Sequence, residues 1–392
     1  MYLKFKPREL YLHFFTIINV LGLLACFINI KLGIISSALI LVLFFQNYKS
    51  FLGSYDFVFS LYLFFSIISV ISYLWNSRPI VIFFAAISFN FIPSLLYYIG
   101  KKAKIDNNID LFIENMLNAF IIMMLIGTIA YLLFPNIYYQ YLGASIESYT
   151  YGLEEYRYGS YISSLALGSI GTISIILYFY IFDNLEIWKK TTYLPLIVIN
   201  VIMCMQRSAW ITSAISLIIC AFVKFKKNKK ARMNIIVVIG IFALLVIIGF
   251  NYKEHIFTRT QLVYFENRIK TIEFNGMASS RSSQWIDAWK TFVNNPILGL
   301  GLGACGQKAA PYGLEIVTDG NHMRILSEIG IIGFGAFIYI NIRGIIKSLK
   351  EKNYYLAIAI IACNVAAIGS PIFDQYYASF AYWLLLGCTN EK

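Results

Sequence analysis

Two groups of residues could do chemistry. The first is the stretch "DGNHMR", from Asp319 to Arg324, directly ahead of an apolar, glycine-spaced run that ends near Phe337. An imidazole with a carboxylate neighbour can be tuned as a base near neutral pH. His322 has Asp319, Asn321 and Arg324 beside it in the chain. The second group is a set of arginines, Arg157, Arg207, Arg281 and Arg324, each where an expected helix begins or ends. A single arginine in that position is a snorkelling anchor. Four on one side of a membrane suit a phosphate- or pyrophosphate-bearing lipid, because guanidinium forks match phosphate oxygens bidentately. The second reading is preferred here.

Other candidates carry less. His13 lies in an apolar run and reads as a satisfied core residue, and His255 reads as solvated. Glu114 and Glu328 are carboxylates within apolar segments, where such groups are costly and usually functional or paired. For Glu328 a structural partnership with a nearby cation is the preferred reading. "GLGACG" (Gly301, Gly303, Gly306) fits a dinucleotide fingerprint, but that fingerprint needs a strand before it and a helix after it. Here an expected helix ending at a proline precedes it, so the glycines read as a tight turn against the membrane surface. No DxD or HExxH occurs, and neither a metal site nor a cofactor is expected. Glu154 and Glu155 are adjacent, so they point apart rather than flank a glycosidic bond.

The elements that must position these residues are apolar helices. The 392 residues are 59% hydrophobic and 13% charged, against about 25% charged in soluble domains. A single polytopic membrane domain over 1–392 follows. Twelve segments are candidate spans: about 10–30, 33–47, 55–75, 79–100, 112–134, 160–182, 192–206, 208–223, 233–250, 323–342, 354–370 and 373–388. Arg207 argues for a turn within the 192–223 region. With the N-terminus in the cytoplasm, the short outer segments hold only Lys31, Arg78, Arg157 and Arg207. The inner segments hold far more basic residues, including "KFKKNKKAR" at 224–232. That alternation places both termini inside, and the first helix is expected to remain uncleaved. The formal net charge of +12 thus reads as topology signal, not as a nucleic-acid surface. The six cysteines show no CxxC spacing and read as small core residues.

Two outer loops are long, 135–158 and 251–322, and long loops commonly carry function. Within the second, "SSRSSQWIDAWKTFVNNP" predicts an amphipathic helix near 283–294. Ser282 or Ser283 would cap it, and Trp285, Ala288, Trp289 and Phe292 share one face. It would lie in the headgroup layer or pack on the bundle.

"RSSQWIDAWKTFVNNPILGLGLGACG" followed by "DGNHMRILSEIGIIGFGAF" resembles the signature of the O-antigen polymerase and ligase superfamily. The matching residues are Arg281, Trp285, Asn295-Pro296, Gly299, Gly301, Gly303, Asn321-His322, Glu328, Gly330 and Gly333. "MQRSAW" (205–210) and the Arg157-to-Gly168 segment are similar to two further parts of it. The likeness covers roughly 150–340, and the proline expected near "SYISS" is absent. It implies an all-α integral membrane protein of about twelve transmembrane helices, a class C (GT-C-type) membrane glycosyltransferase bundle with a large periplasmic loop between helices nine and ten. It further implies a bacterial inner-membrane enzyme that takes glycan from an undecaprenyl-diphosphate-linked donor, with a chain-length regulator among its partners.

On that basis His322 with Arg281 and Arg207 would be catalytic. Arg157, Arg207, Arg281 and Arg324 would hold the diphosphate, and Asp319, Asn321 and Glu328 would give support. The anomeric diphosphate is already a good leaving group, so cations that stabilise its departing charge suffice, and direct displacement would invert the anomeric centre. A Wzy-type polymerase, using lipid-linked glycan as both donor and acceptor, is preferred. A ligase acting on lipid A core and a twelve-helix secondary transporter are the competing functions. Transporters often join two six-helix halves by a long inner loop, whereas the long loops here are external.

Overall fold

The structure is a computed structural model and describes residues 7–28, 32–52, 55–138, 141, 158–227, 277–306, 309, 312 and 320–390. Among the described residues there are helices and turns and no strand. In chain order the helices are α1 (Phe14–Ile28), α2 (Leu32–Leu52), α3 (Phe57–Trp75), α4 (Ile80–Ile105), α5 (Ile109–Leu133) and α6 (Ser164–Ile181). Then come α7 (Ile187–Met203), α8 (Arg207–Lys227), α9 (Met277–Asn294), α10 (Asn321–Lys350), α11 (Tyr354–Gly369) and α12 (Tyr376–Cys388).

Among the described residues, seven stretches are long and apolar enough to cross a membrane: Leu10–Phe27, α3, α4, α5, Ser164–Asn184, Arg207–Lys226 and α10. Ile35–Asn47 and α11 are shorter apolar helices. Large apolar side chains such as Trp75, Ile218 and Phe222 face outward, as lipid contact requires. A multi-pass membrane protein is supported. The expected spans coincide with helices, apart from 233–250, which lies outside the described residues. The turn expected at Arg207 is present: α7 ends at Met203, Met205 takes a φ of 52°, and α8 opens at Arg207. One expectation fails. α9 starts at Met277, so Ser282 and Ser283 lie within it and do not cap it. Only residues of ordinary helix propensity precede them after Gly276.

Contacts divide the chain into two units. The first comprises Met1–Tyr11, Gly33–Ile109 and Phe274–Lys392, the second Leu12–Leu32 and Asp110–Glu273. In the first, α4 and α12 touch backbone to backbone. A Cβ on Gly100 would lie 2.0 Å from Leu384 O, and one on Gly387 2.0 Å from Tyr97 O. Arg343 pairs with Asp56, which also accepts from Tyr97 Oη at 2.5 Å. Lys104 reaches both Glu351 and Thr389 O. Each group joins helix ends that the charge alternation places on one side.

In the second unit α6 is the buried centre. Ser163 caps it, its Oγ accepting from Ala166 N at 3.1 Å. Hydroxyls of Thr172 and Ser213 bridge α6 to α8 at 2.8 Å, a satisfied polar contact in an apolar setting. All six cysteines are free, five of them buried.

Candidate functional site

The first unit holds a broken helix. Gly330 in α10 has φ 70° and ψ −176°, far from helical. A break inside a bundle exposes backbone groups that need partners. The loop after α9 supplies them. Leu300 N donates to Ser327 O at 2.8 Å and Gly301 N to Glu328 O at 2.9 Å, while Ile331 N donates to Pro296 O at 2.8 Å. The approach leaves no room for side chains. A Cβ on Gly330 would stand 2.0 Å from Ile297 O, and one on Gly299 2.4 Å from the Glu328 carbonyl carbon. The two glycine-spaced motifs are therefore halves of one joint. The tight turn expected of these glycines is present, with Ala304 N donating to Gly301 O at 3.0 Å, and what it packs on is protein: Gly301 and Gly303 meet Tyr73 of α3 and Ala86 of α4.

The break bends the chain sharply. In a straight helix His322 and Phe337 would stand about 22 Å apart. Here their ring centroids are 6.2 Å apart. Residues 321–329 thus form a short half-helix that presents its side chains to the interior, and residues 331–350 alone are long enough to span, at about 30 Å.

The half-helix carries the polar groups. His322 Nε2 faces Asn364 Oδ1 at 3.1 Å, and its Nδ1 is buried with no hydrogen-bond partner among the described residues. Asn321 Oδ1 accepts from Phe373 N at 3.0 Å. Arg324 is 3% exposed and its Nη1 pairs with Asp374, in the turn between α11 and α12. Glu328 is 1% exposed, and its Oε1 accepts from Cys305 N at 3.2 Å. The Asn90 amide, with its nitrogen turned toward the acceptors around it, donates to Asp374 Oδ1 at 3.0 Å. Asn90 sits in a π-helical turn, Ile87–Phe91, a wider turn that is frequent at functional sites. Arg324 and Glu328 open onto a small cavity with Tyr62, Asn90, Phe337 and Trp383.

Not every expected site residue gathers here. Arg207 opens α8 in the second unit. There the two other motif segments meet: a Cβ on Gly168 would lie 2.4 Å from Gln206 Oε1 and 2.7 Å from Ala209 Cβ. Arg281 lies on α9. Arg157, Asp319, His255, Glu154 and Glu155 lie outside the described residues. Arg324 is inside the first unit and already neutralised by Asp374, so a diphosphate reaching it would have to displace that carboxylate. The preferred reading of Glu328, a partner for a cation, meets a different geometry. The nearest arginine on its half-helix pairs with Asp374, and Glu328 accepts from the backbone of the docked loop.

Sequence reasoning missed Asn90, Asn341, Asn364 and Asp374. The only signal was a polar residue within an apolar run, and the partner of each comes from a distant part of the chain.

A family model described as O-antigen ligase (Wzy_C) matches residues 192–340. The match bears out the resemblance to the O-antigen polymerase and ligase superfamily. It takes in Arg207, Arg281, His322, Arg324 and Glu328 and stops short of Asn341, Asn364 and Asp374. No curated protein matches the chain.

Proposed function

We propose that this chain polymerises undecaprenyl-diphosphate-linked oligosaccharide repeats into O-antigen or capsular polysaccharide at the outer face of the bacterial inner membrane. The observation that carries the reading is the half-helix 321–329. It brings an imidazole with an unpartnered nitrogen into the bundle interior, inside the stretch that matches the family. Discontinuous helices are where membrane proteins build polar sites, because their backbone and side chains can be satisfied internally.

In the reaction a sugar hydroxyl of the acceptor attacks the anomeric carbon of the donor. The glycosidic bond forms, the bond from that carbon to the diphosphate oxygen breaks, and the lipid diphosphate leaves with the electron pair. The hydroxyl proton passes to His322. Arg157, Arg207 and Arg281 neutralise the charge that grows on the diphosphate, where oriented cations in a low-dielectric site count most. Arg324 joins them only by exchanging Asp374 for phosphate; otherwise it anchors the half-helix. Asn321 supports the site by holding Phe373 N, and Asp319 and Glu328 are assigned supporting roles in the same proposal. Direct displacement inverts the anomeric centre. Twelve crossings in a GT-C-type bundle, both termini in the cytoplasm and a chain-length regulator as partner complete the proposal.

Transfer of glycan to lipid A core is the second reading, favoured by the ligase description of the matching family model. The two part on one experiment. Purified protein incubated with lipid-linked repeats alone yields a product ladder if it is a polymerase. No ladder, with transfer once lipid A core is added, shows a ligase and overturns the preferred reading.

A further inference from the structure

Behind His322 run two linked amides that the family match does not reach, Asn364 half-buried and Asn341 buried. Asn364 Nδ2 donates to Asn341 Oδ1 at 2.8 Å and to Ile360 O at 2.8 Å. Asn341 Oδ1 also accepts from Tyr382 Oη at 2.7 Å, and Asn341 Nδ2 donates to Phe337 O at 2.9 Å. Amide orientation is set by such networks, and this one admits a single solution. Ile360 O and Phe337 O are carbonyls and can only accept, so both amide nitrogens must face them. Turning the Asn364 amide over would set its oxygen against Ile360 O and Asn341 Oδ1, two acceptors, at a cost typical of a buried unpaired group. Asn364 Oδ1 therefore faces His322, and the ring nitrogen opposite it must carry the hydrogen.

We propose that Asn364, held by Asn341 and Tyr382, is a positioning residue that locks His322 as the Nε2–H tautomer, so that Nδ1 is the atom that accepts the proton from the attacking sugar hydroxyl. Each ring nitrogen's state follows from the hydrogen bond that the other makes. Nδ1 is the nitrogen left buried and without a partner among the described residues. The arrangement is the amide counterpart of the carboxylate that fixes a triad histidine, where the wrong tautomer destroys catalysis while the geometry stays intact. An amide orients the ring without adding a charge to an interior that already holds Arg324, Glu328 and Asp374.

The catalytic part of this inference rests on the glycan-transfer reading, but the tautomer does not, and the experiment separates them. Full-length protein in lipid nanodiscs, with 15N in its three histidines, reports by NMR which nitrogen of His322 carries hydrogen. His322→Gln identifies the signal. The expected result is Nε2–H with an unprotonated Nδ1. Asn364→Leu should let the Nδ1–H form appear and lower kcat by roughly 10–100-fold, the scale of losing an orienting partner behind a working imidazole, with KM little changed. If Asn364→Leu does not fold, Tyr382→Phe, which loosens Asn341, should show a smaller change in the same direction. An Nδ1–H ring in the unaltered protein overturns the proposal, as does a tautomer ratio indifferent to Asn364→Leu and Tyr382→Phe alike. A correct tautomer in a protein that transfers no glycan overturns the functional reading and leaves the assignment standing.

Discussion

Helix α10 carries two guanidiniums, each paired with a carboxylate from another element, and the two pairs sit in opposite kinds of surroundings. Arg343 meets Asp56, the residue that caps α3. Asp56 also holds Tyr97 Oη at 2.5 Å and Phe59 N at 3.2 Å, and Arg343 Nη2 reaches Tyr97 Oη at 3.0 Å. The backbone around it is regular, and the group reads as a fastening between helix ends. Arg324 meets Asp374 beside a second carboxylate, a π turn, a cavity and a half-helix. A buried ion pair alone is weak support for function, since pairs of either kind survive burial when their partners are complete. Irregular backbone beside surplus polar groups is what separates the working end from the fastened one.

The comparison breaks most visibly at Gly330. Gly330→Ala forces a side chain onto Ile297 O at a positive φ and should destabilise the protein by on the order of 4 kcal/mol or more. Gly335, further along the same helix, has nothing within 4 Å of a Cβ. Gly335→Ala should therefore be neutral or slightly stabilising, by up to about 1 kcal/mol. Thermal unfolding in detergent compares the two, and equal effects would remove the joint from the account.

Next come the guanidiniums. Arg324→Met leaves the half-buried Asp374 carboxylate without its cation and should cost about 3–5 kcal/mol. The double change with Asp374→Leu should recover much of that. Arg343→Met should cost less, about 1–3 kcal/mol, because Asp56 keeps its Tyr97 and Phe59 donors. Denaturant titration ranks them, and a larger loss at Arg343 would reverse the assignment of fastening and site.

The smallest effect is one of pH. Burial pushes the Asp56 carboxyl up, but hydrogen bonds from Arg343 and Tyr97 outweigh that and hold it below the usual carboxylate range. Its folded-state value is thus depressed. The stability it contributes is complete above the unfolded-state value of about 3.9 and is lost as pH falls through the lower folded-state value. Arg343→Met should flatten the slope of stability against pH in that acid window. An unchanged slope would show that Arg343 does not set the titration.

Much of this was readable in the residues alone, and the remainder was hidden for definite reasons. Apolar runs located the helices because lipid demands about twenty apolar residues per crossing. The turn at Arg207 followed from a charge inside such a run. The glycine spacings marked the joint, and His322, Arg324 and Glu328 fell on the half-helix that it creates. What stayed hidden was the bend itself. "EIGIIGFGAF" has the periodicity of a continuous helix, and nothing in composition reports that Gly330 takes a φ of 70°. Asp374 and Asn364 were hidden too, since each looks like an isolated polar residue until tertiary packing brings it to Arg324 or His322.

The central claim is that His322, carried into the interior on a broken helix, takes the proton when one glycan is joined to another. Its most direct test is a gel of the products formed from purified lipid-linked repeats by the unaltered protein and by His322→Gln, both in the same lipid. A ladder from the first and only unlengthened repeats from the second is the predicted result. A ladder of equal length and rate from His322→Gln would contradict it.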